Sequence, residues 1–220
     1  MRILIVEDQA ILREILRNLC ARELGQEVLG EAADGESALE LSRTLAPDLV
    51  LLDLELPVRD GFSVIAALRT LKPSPRILVL SSHCDDFTVL RIEQFGVDGF
   101  VDKNTSTPAG LGEAFAAIDR GGRYFSPTFL RVRAARRQDT GSFDKLLSER
   151  EQVVLALIGE LRDDAEIGRI LGIRERTVET HRFNIMRKLG IDSRLALERF
   201  ARDHGFTRSV VKGLPGSGLR

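Results

Sequence analysis

The chain of 220 residues is long enough for two modest domains, at about 150 residues per domain. Its apolar fraction of 43% and charged fraction of 30% exclude disordered, collagen-like and disulfide-scaffold classes. No apolar run approaches the roughly 18 residues that span a bilayer, no signal peptide is recognisable, and Cys20 and Cys84 lack disulfide or zinc spacing. We therefore expect a cytoplasmic protein with no membrane partner.

The net charge of −1 conceals an asymmetry between the two halves of the chain. Residues 1–125 carry 13 Lys and Arg against 20 Asp and Glu, whereas residues 126–220 carry 19 against 13. An acidic first half repels a polyanion, and a basic second half is typical of a nucleic-acid or acidic-surface binder. The alternative is that the charge asymmetry is an accident of surface composition and does not indicate a binding partner.

Short apolar runs alternate with helical apolar spacing in the first 125 residues. The predicted strands cover residues 3–6, 26–32, 49–52, 76–80 and 99–101. Strands that alternate with helices predict an α/β domain, with five parallel strands covered on both faces.

The pattern changes after residue 125. Residues 126–143, with an arginine cluster and the segment 139–142, are predicted to be a linker. Four helices are predicted within residues 144–206, at 149–157, 164–171, 175–189 and 194–203. Residues 207–220 are rich in glycine and predict a disordered tail.

Acidic side chains follow two of the predicted strands. Glu7 and Asp8 come after the first strand and Asp53 after the third, and the carboxyl ends of parallel strands open on one edge of the sheet. Such a cluster of oxygen ligands suits Mg²⁺ with several retained waters. Ser81 after the fourth strand adds a hydroxyl and Lys103 after the fifth adds a positive charge, a set that a phosphoryl group would complete. Each residue alone has an ordinary explanation as a cap, turn or solvated charge, but four strand ends together indicate a site.

The strings IVEDQ, LVLLDLELP, ILVLSS and GFVDK resemble the receiver domain of two-component response regulators, over residues 1–125. The resemblance implies a flavodoxin-like fold in which Asp53 accepts a phosphoryl group from a sensor histidine kinase. It also implies that Mg²⁺ is bound by Asp8, Asp53, the backbone carbonyl of Glu55 and, mainly through water, Glu7. Lys103 and Ser81 would take phosphoryl oxygens, and Phe100 would turn inward when Ser81 moves.

Two residues depart from the receiver pattern. Glu7 stands where Asp is common, and Asn104 follows Lys103 where Pro is usual, so the usual cis peptide is not assumed. His83 and Cys84 are interpreted as surface loop residues, with His83 a candidate to modulate the access of water to an acyl phosphate. The helix 4, strand 5 and helix 5 face is the family's usual dimer face.

The longest predicted helix of the second half has a core stripe of Val178, His181, Ile185 and Leu189, and Gly172 is predicted to make the turn before it. His181 is interpreted as a core residue, since no other metal ligand has a usable spacing. Residues 174–188 hold five basic and two acidic residues, which favours contact with phosphates.

The strings LSEREQVVLALI, AEIGRILGI and RTVETHRFNIMRKLGI resemble the LuxR-type helix-turn-helix of NarL/FixJ-family regulators. The resemblance implies double-stranded DNA as partner, with Arg176 on the groove-facing side of the helix. We predict that Glu179, Thr180 and Phe183 read bases. The residues predicted to hold phosphates are Thr177, Arg182, Arg187 and Lys188. Arg174 replaces the usual Ser cap, and Asp163-Asp164 replace Ser-Asn, which favours the helix dipole but not nearby phosphates.

The sequence predicts a regulator of transcription, not an enzyme, that forms a homodimer on phosphorylation or on DNA. Two alternatives remain. A phosphohydrolase would use Asp53 on external substrates, although Leu54-Glu55 lack the second acid of a DxD motif. A pseudo-receiver would respond to protein or ligand contacts, an alternative that Glu7 and Asn104 leave open.

Overall fold

The structure is a computed structural model that describes residues 1–57, 59–138 and 143–206. The described chain divides into two compact units, one of residues 1–84 and 91–131 and the other of residues 85–90 and those from 132 onward. Residues 139–142 of the predicted linker, and the predicted tail at 207–220, lie outside the described residues.

The first unit is an α/β fold around a parallel sheet, as predicted. Its strands are β1 (Arg2–Val6), β2 (Glu27–Ala32), β3 (Leu49–Asp53), β4 (Arg76–Ser81), β5 (Gly99–Asp102) and β6 (Tyr124–Phe125). The helices of this part of the chain are α1 (Ala10–Asn18), continued by a π-helical turn (Leu19–Glu23), α2 (Gly35–Leu45), α3 (Gly61–Leu68), α4 (Asp86–Phe95) and α5 (Pro108–Asp119). Residues 86–90 of α4 belong to the second unit. The predicted strand and helix order is confirmed.

The sheet has the strand order β2-β1-β3-β4-β5-β6, with every neighbouring pair parallel. Ile3 and Ile5 belong to a core cluster with Leu16 of α1, while the alternating Leu4 and Val6 are buried as well. Burial of both sets shows that both faces are covered, which explains the continuous apolar runs.

The sequence predicted five strands in this sheet, but the sheet has six. Residues Tyr124–Phe125 form β6 at the sheet edge, where Gly99 pairs with Tyr124 and Phe100 with Phe125. A two-residue strand carries no alternation in its sequence, so only its pairing with β5 identifies it.

The segment predicted as a linker contains a helix, α6 (Pro127–Gln138). Its arginine-rich sequence suggested a solvated connection. Phe129 is nevertheless fully buried, with its ring centroid 4.7 Å from that of Phe125. Burial of this aromatic ring orders a helix that composition alone does not predict.

The second unit contains the four predicted helices and one short one. The short helix is α7 (Phe143–Leu146), and the others are α8 (Glu149–Gly159), α9 (Asp164–Leu171), α10 (Glu175–Leu189) and α11 (Arg194–Asp203). The predicted turn is confirmed at Gly172, which ends α9 with a left-handed φ of 64°. No helix within the described ranges is long and apolar enough to cross a bilayer.

Candidate functional site

The carboxylates predicted to meet at one sheet edge lie together. Glu7 and Asp8 follow β1 and Asp53 ends β3, its neighbour in the sheet. One carboxylate oxygen from each lies within 4.8 Å of the others. Glu7 and Asp53 are buried and Asp8 is exposed, so the cluster is open on one side.

Lys103 joins two of these carboxylates. Its Nζ lies 2.7 Å from Glu7 Oε2 and 2.9 Å from Asp53 Oδ2. Burial lowers the pKa of the Lys103 amine, but the hydrogen bond to Glu7 and the charges of the Glu7 and Asp53 carboxylates outweigh that effect and raise its pKa above the ordinary value. The side chain therefore stays an ammonium ion at neutral pH.

Glu7 is buried in the cluster, although its position directly after a strand suggests a surface turn. Burial raises the pKa of this carboxyl above its ordinary value, and the hydrogen bond from Lys103 opposes the rise. A nearby divalent cation would favour its ionised form.

The two oxygens of Asp53 have different surroundings. Oδ1 accepts a hydrogen bond from the Glu55 N–H at 3.1 Å. Oδ2 is buried and receives no well-directed hydrogen bond from the described residues. Gly61 packs closely against the loop that begins at Asp53. A Cβ atom at this glycine would come within 2.8 Å of the Asp53 carbonyl oxygen. A residue larger than glycine at the start of α3 would displace this loop.

Ser81 and Phe100 lie on neighbouring strands and are both fully buried. Ser81 Oγ accepts a hydrogen bond from the His83 N–H at 3.1 Å. The Phe100 ring centroid lies 5.1 Å from that of Phe129 on α6. Phe100, the residue predicted to turn inward, is therefore inside the unit and in contact with α6.

The structure shows how Lys103 is held without a proline after it. Among the described residues the cis peptide bond is at Lys72-Pro73, and that between Lys103 and Asn104 is trans. Asn104 Nδ2 donates to the Ser82 carbonyl oxygen at 2.7 Å, and the Lys103 N–H donates to that of Ser81 at 3.0 Å. The departure at Asn104 thus supplies an anchor, which sequence reasoning missed.

Sequence reasoning also missed the contact between His83 and Glu55. His83 Nε2 lies 2.6 Å from Glu55 Oε1. Both residues belong to loops that follow neighbouring strands, β4 and β3. Their spacing in the sequence, 28 residues, gave no signal of this pair.

The second candidate site is the surface of α10. The missing cap predicted at Arg174 is confirmed, because no side chain caps this helix start. Val178 and Ile185 are fully buried, while His181 and Leu189 of the predicted stripe are partly buried. The exposed residues of α10 are Glu175, Arg176, Thr177, Glu179, Thr180, Phe183, Arg187 and Lys188.

Phe183 is 64% exposed, which is unusual for a large apolar side chain. Glu179 lies one helical turn before it and makes no hydrogen bond or ion pair with the described residues. An exposed ring and an exposed carboxylate on one basic helix form a surface that could contact base edges.

Two basic residues of α10 are engaged inside the unit. Arg182 Nη2 lies 2.9 Å from Asp164 Oδ2, and Lys188 Nζ lies 2.7 Å from Glu151 Oε2. These acids belong to α9 and α8, so the two pairs attach α10 to its neighbours. The periodicity of α10 gave no indication of either pair.

Comparisons with known proteins identify the family of each part of the chain. The family described as "Response regulator receiver domain" matches residues 3–114, and that described as "Bacterial regulatory proteins, luxR family" matches residues 145–201. The chain belongs to the NarL/FixJ family of response regulators. It is a two-component transcription regulator that combines a receiver domain with a luxR-type DNA-binding domain.

Relatives match this response regulator along most of its length. The transcriptional regulatory protein MctR of Rhizobium johnstonii is 32% identical over 209 residues, 95% of this chain and 96% of the relative. The nitrate/nitrite response regulator protein NarP of Escherichia coli is 33% identical over 198 residues, 89% of this chain and 91% of the relative.

Solved structures share the fold. A LuxR-family response regulator from Aurantimonas sp. is 36% identical, with a TM-score of 0.59 over 63% of this chain and 98% of that one. RcsB from Salmonella enterica, bound to a promoter, is 23% identical, with a TM-score of 0.65 over 92% of this chain and 98% of that one. The latter likeness concerns the fold alone.

Proposed function

We propose that Asp53 accepts a phosphoryl group from a sensor histidine kinase and that this changes dimerisation and DNA binding by the chain. The observation that carries the proposal is the buried Asp53 Oδ2, which lies 2.9 Å from the Lys103 ammonium without a well-directed hydrogen bond from the described residues. An oxygen in this state keeps lone pairs available for a new bond.

In the proposed transfer, an Asp53 carboxylate oxygen attacks phosphorus and forms an acyl phosphate. The bond between phosphorus and the kinase histidine nitrogen breaks, and its electron pair stays on the imidazole, which takes up a proton. Lys103 and the Ser81 hydroxyl bind the oxygens of the phosphoryl group. Lys103 stays positively charged for this role because its pKa is raised.

The cofactor proposed for this site is Mg²⁺. The carboxylates of Glu7, Asp8 and Asp53 outnumber the single Lys103 ammonium, and they offer only oxygen ligands, which fits this ion. Glu7 would act mainly through a water, and the Glu55 backbone carbonyl would complete the set. Bound Mg²⁺ neutralises charge on phosphoryl oxygens.

The switch proposed for the receiver consists of Ser81 and Phe100. Movement of Ser81 toward the phosphoryl group would release the hydrogen bond that its Oγ accepts from His83. Phe100 would adjust against Phe129, so that the change reaches α6. The phosphorylated state is then a second conformation whose population depends on the Asp53 adduct.

The DNA-binding surface is proposed to be the exposed side of α10. Glu179, Thr180 and Phe183 would read bases. The basic residues Arg176 and Arg187, with Thr177, would contact phosphates, and Arg182 and Lys188 would do so to the extent that their acidic partners release them. A homodimer would place two copies of α10 on two half-sites of double-stranded DNA.

The proposed organisation is a receiver at residues 1–125, a connecting segment at 126–143 and a DNA-binding domain at 144–206. The cytoplasm is the proposed compartment, since it supplies both a kinase and DNA. A phosphohydrolase acting on external substrates is the rival function, and no feature of the site favours it.

The test is labelling of the full chain by radioactive acetyl phosphate, with and without Mg²⁺. We expect labelling that needs Mg²⁺ and is abolished by Asp53→Asn, while Asp119→Asn, at the exposed end of α5, leaves it unchanged. Unchanged labelling of Asp53→Asn would overturn the assignment. Continuous release of phosphate from small phosphoesters would instead favour the hydrolase.

A further inference from the structure

One buried carboxylate connects three helices of the DNA-binding unit. Asp164, the first residue of α9, is 8% exposed. Its Oδ2 accepts a hydrogen bond from Arg182 Nε of α10 at 3.0 Å and lies 2.9 Å from Nη2. Its Oδ1 accepts one from Arg194 Nη1 of α11 at 2.8 Å. Both oxygens of Asp164 are therefore committed to arginines.

The two arginines differ in what else they contact. Arg194 Nε also donates to Glu198 Oε1 at 3.0 Å, so it retains an acidic partner without Asp164. For Arg182, Asp164 is the one acidic partner found among the described residues. Loss of the Asp164 charge would thus release Arg182 and leave Arg194 paired.

Arg182 lies on the flank of the proposed DNA-binding surface. It directly precedes the exposed Phe183, and 26% of its own side chain is exposed. Moving its guanidinium to a DNA phosphate would leave Asp164 buried with a single partner. This desolvated carboxylate makes the movement unfavourable, whereas Arg187, which is exposed on the same helix, has no comparable partner to leave.

We propose that Asp164 sets the sequence-independent part of DNA affinity by withholding Arg182 from the phosphate backbone. The proposal rests on the proposed function of α10 as the DNA-binding helix. In this arrangement Arg182 is a positioning residue that joins α10 to α9, and Arg187 is a phosphate contact. Phosphate contacts carry no sequence information, so Asp164 limits binding to unrelated DNA without touching a base.

The experiment measures binding of the full chain to a labelled duplex of about 30 base pairs and random sequence, over a salt titration. The chains compared are the unsubstituted chain, Asp164→Asn, Arg182→Gln, their double variant, Arg176→Gln and Arg187→Gln. Glu175→Gln, alone and with Arg182→Gln, is the charge control, because Glu175 is an exposed acid of the same helix. Thermal melting checks that each variant folds.

We expect Arg187→Gln to flatten the slope of log affinity against log salt by about 0.9, the value of one phosphate contact. Arg182→Gln alone should leave the slope unchanged. Asp164→Asn should steepen it by about 0.9 and raise affinity about fivefold to tenfold at 0.1 M salt, and adding Arg182→Gln should cancel that gain. The smaller gain from Glu175→Gln should persist when Arg182 is replaced.

The proposal is overturned if Arg182→Gln alone flattens the slope as much as Arg187→Gln, or if the gain of Asp164→Asn survives the loss of Arg182. If Asp164→Asn does not fold, the comparison of Arg182→Gln with Arg187→Gln decides the question in the original chain. If neither Arg176→Gln nor Arg187→Gln affects binding, the proposed role of α10 fails, and the role of Asp164 fails with it.

Discussion

The carboxylate site of the receiver and the surface of α10 are assembled in opposite ways. The first takes one or two side chains from the end of each of four strands, and the hydrogen-bond ladders of the sheet fix their positions. The second takes its side chains from one helix, so its geometry depends on which of them neighbouring helices engage. In the receiver a base, Lys103, offsets excess acid, whereas on α10 two acids, Asp164 and Glu151, offset excess base. In both places, partners of opposite charge from neighbouring elements limit the net charge of the cluster.

The largest expected effect concerns Lys103. Lys103→Met removes the ammonium that joins Glu7 to Asp53. Labelling by acetyl phosphate should continue with Mg²⁺, but phosphorylation should no longer raise DNA affinity. Coupling between two sites typically changes affinity by about 5- to 150-fold. In Lys103→Met, the ratio of DNA affinities with and without phosphorylation should fall to about 1. Comparing phosphorylated and unphosphorylated chains in a DNA-binding assay measures this loss.

Lys72→Met, at an exposed lysine remote in sequence from the site, is the matched control and should keep full coupling. Preserved coupling in Lys103→Met would show that the base in the receiver site is dispensable, and the parallel with α10 would fail.

The next effect concerns the exposed acid of α10. If Glu179 accepts a hydrogen bond from a cytosine amino group, Glu179→Ala should relax preference at one position of each half-site by about 1 to 3 kcal/mol. Affinity for unrelated DNA should rise, because a negative charge beside phosphates is removed. Selection of bound fragments from a random DNA pool measures both. An unaltered base preference would exclude base reading by Glu179, and Glu175→Ala should change affinity alone.

A smaller effect is expected from the ion pair of Lys188 with Glu151, which attaches α10 to α8. Burial raises the pKa of Glu151, but hydrogen bonds from Lys188 and Ser148 outweigh it and hold that pKa below its ordinary value. As pH falls, the Glu151 carboxylate is therefore protonated at a higher pH in the unfolded chain than in the folded one. The stabilisation is therefore complete above the ordinary pKa of 4.5 and is lost as pH falls through the lower folded value.

Lys188→Gln should accordingly lower the free energy of unfolding by about 1 kcal/mol at pH 7, with the deficit shrinking below pH 4.5. Urea denaturation at several pH values gives the comparison. Arg187→Gln, at the exposed neighbouring position, should change stability by less than about 0.5 kcal/mol at every pH. A deficit for Lys188→Gln that does not depend on pH would contradict the assigned pair.

The smallest effect concerns the turn before α9, where Leu161 is 62% exposed and has a left-handed φ of 61°. Leu161→Gly should stabilise the chain by up to about 1 kcal/mol, because glycine adopts this φ without steric strain. Leu195→Gly is the matched control, since this exposed leucine lies in the first turn of α11, and glycine there should destabilise by up to about 1 kcal/mol. Thermal melting distinguishes the signs, and destabilisation by both substitutions would refute the assigned turn.

The receiver was the more predictable of the two regions. Strand ends of a parallel sheet share one edge, so Glu7, Asp8 and Asp53 could be placed together from the chain alone. What could not be predicted were contacts between loops, such as those of Asn104 with Ser82 and of His83 with Glu55. These depend on loop conformations that no periodicity encodes.

For α10 the sequence predicted the core stripe, the turn and the missing cap, but not which basic residues are paired. Asp164 was interpreted only through the dipole of its own helix, and its partners lie 18 and 30 residues further along the chain. The helix α6 was missed for a related reason, because the burial of Phe129 that orders it is a tertiary contact.

The central claim is that Asp53 carries the phosphoryl group, and mapping of the adduct tests it most directly. The full chain would be treated with acetyl phosphate and Mg²⁺, reduced with borohydride, and analysed by peptide mass spectrometry. Reduction converts an aspartyl phosphate to homoserine, and the account predicts this product at position 53 only, with none when Mg²⁺ is chelated. Homoserine at another aspartate, or formation at position 53 without metal, would contradict it.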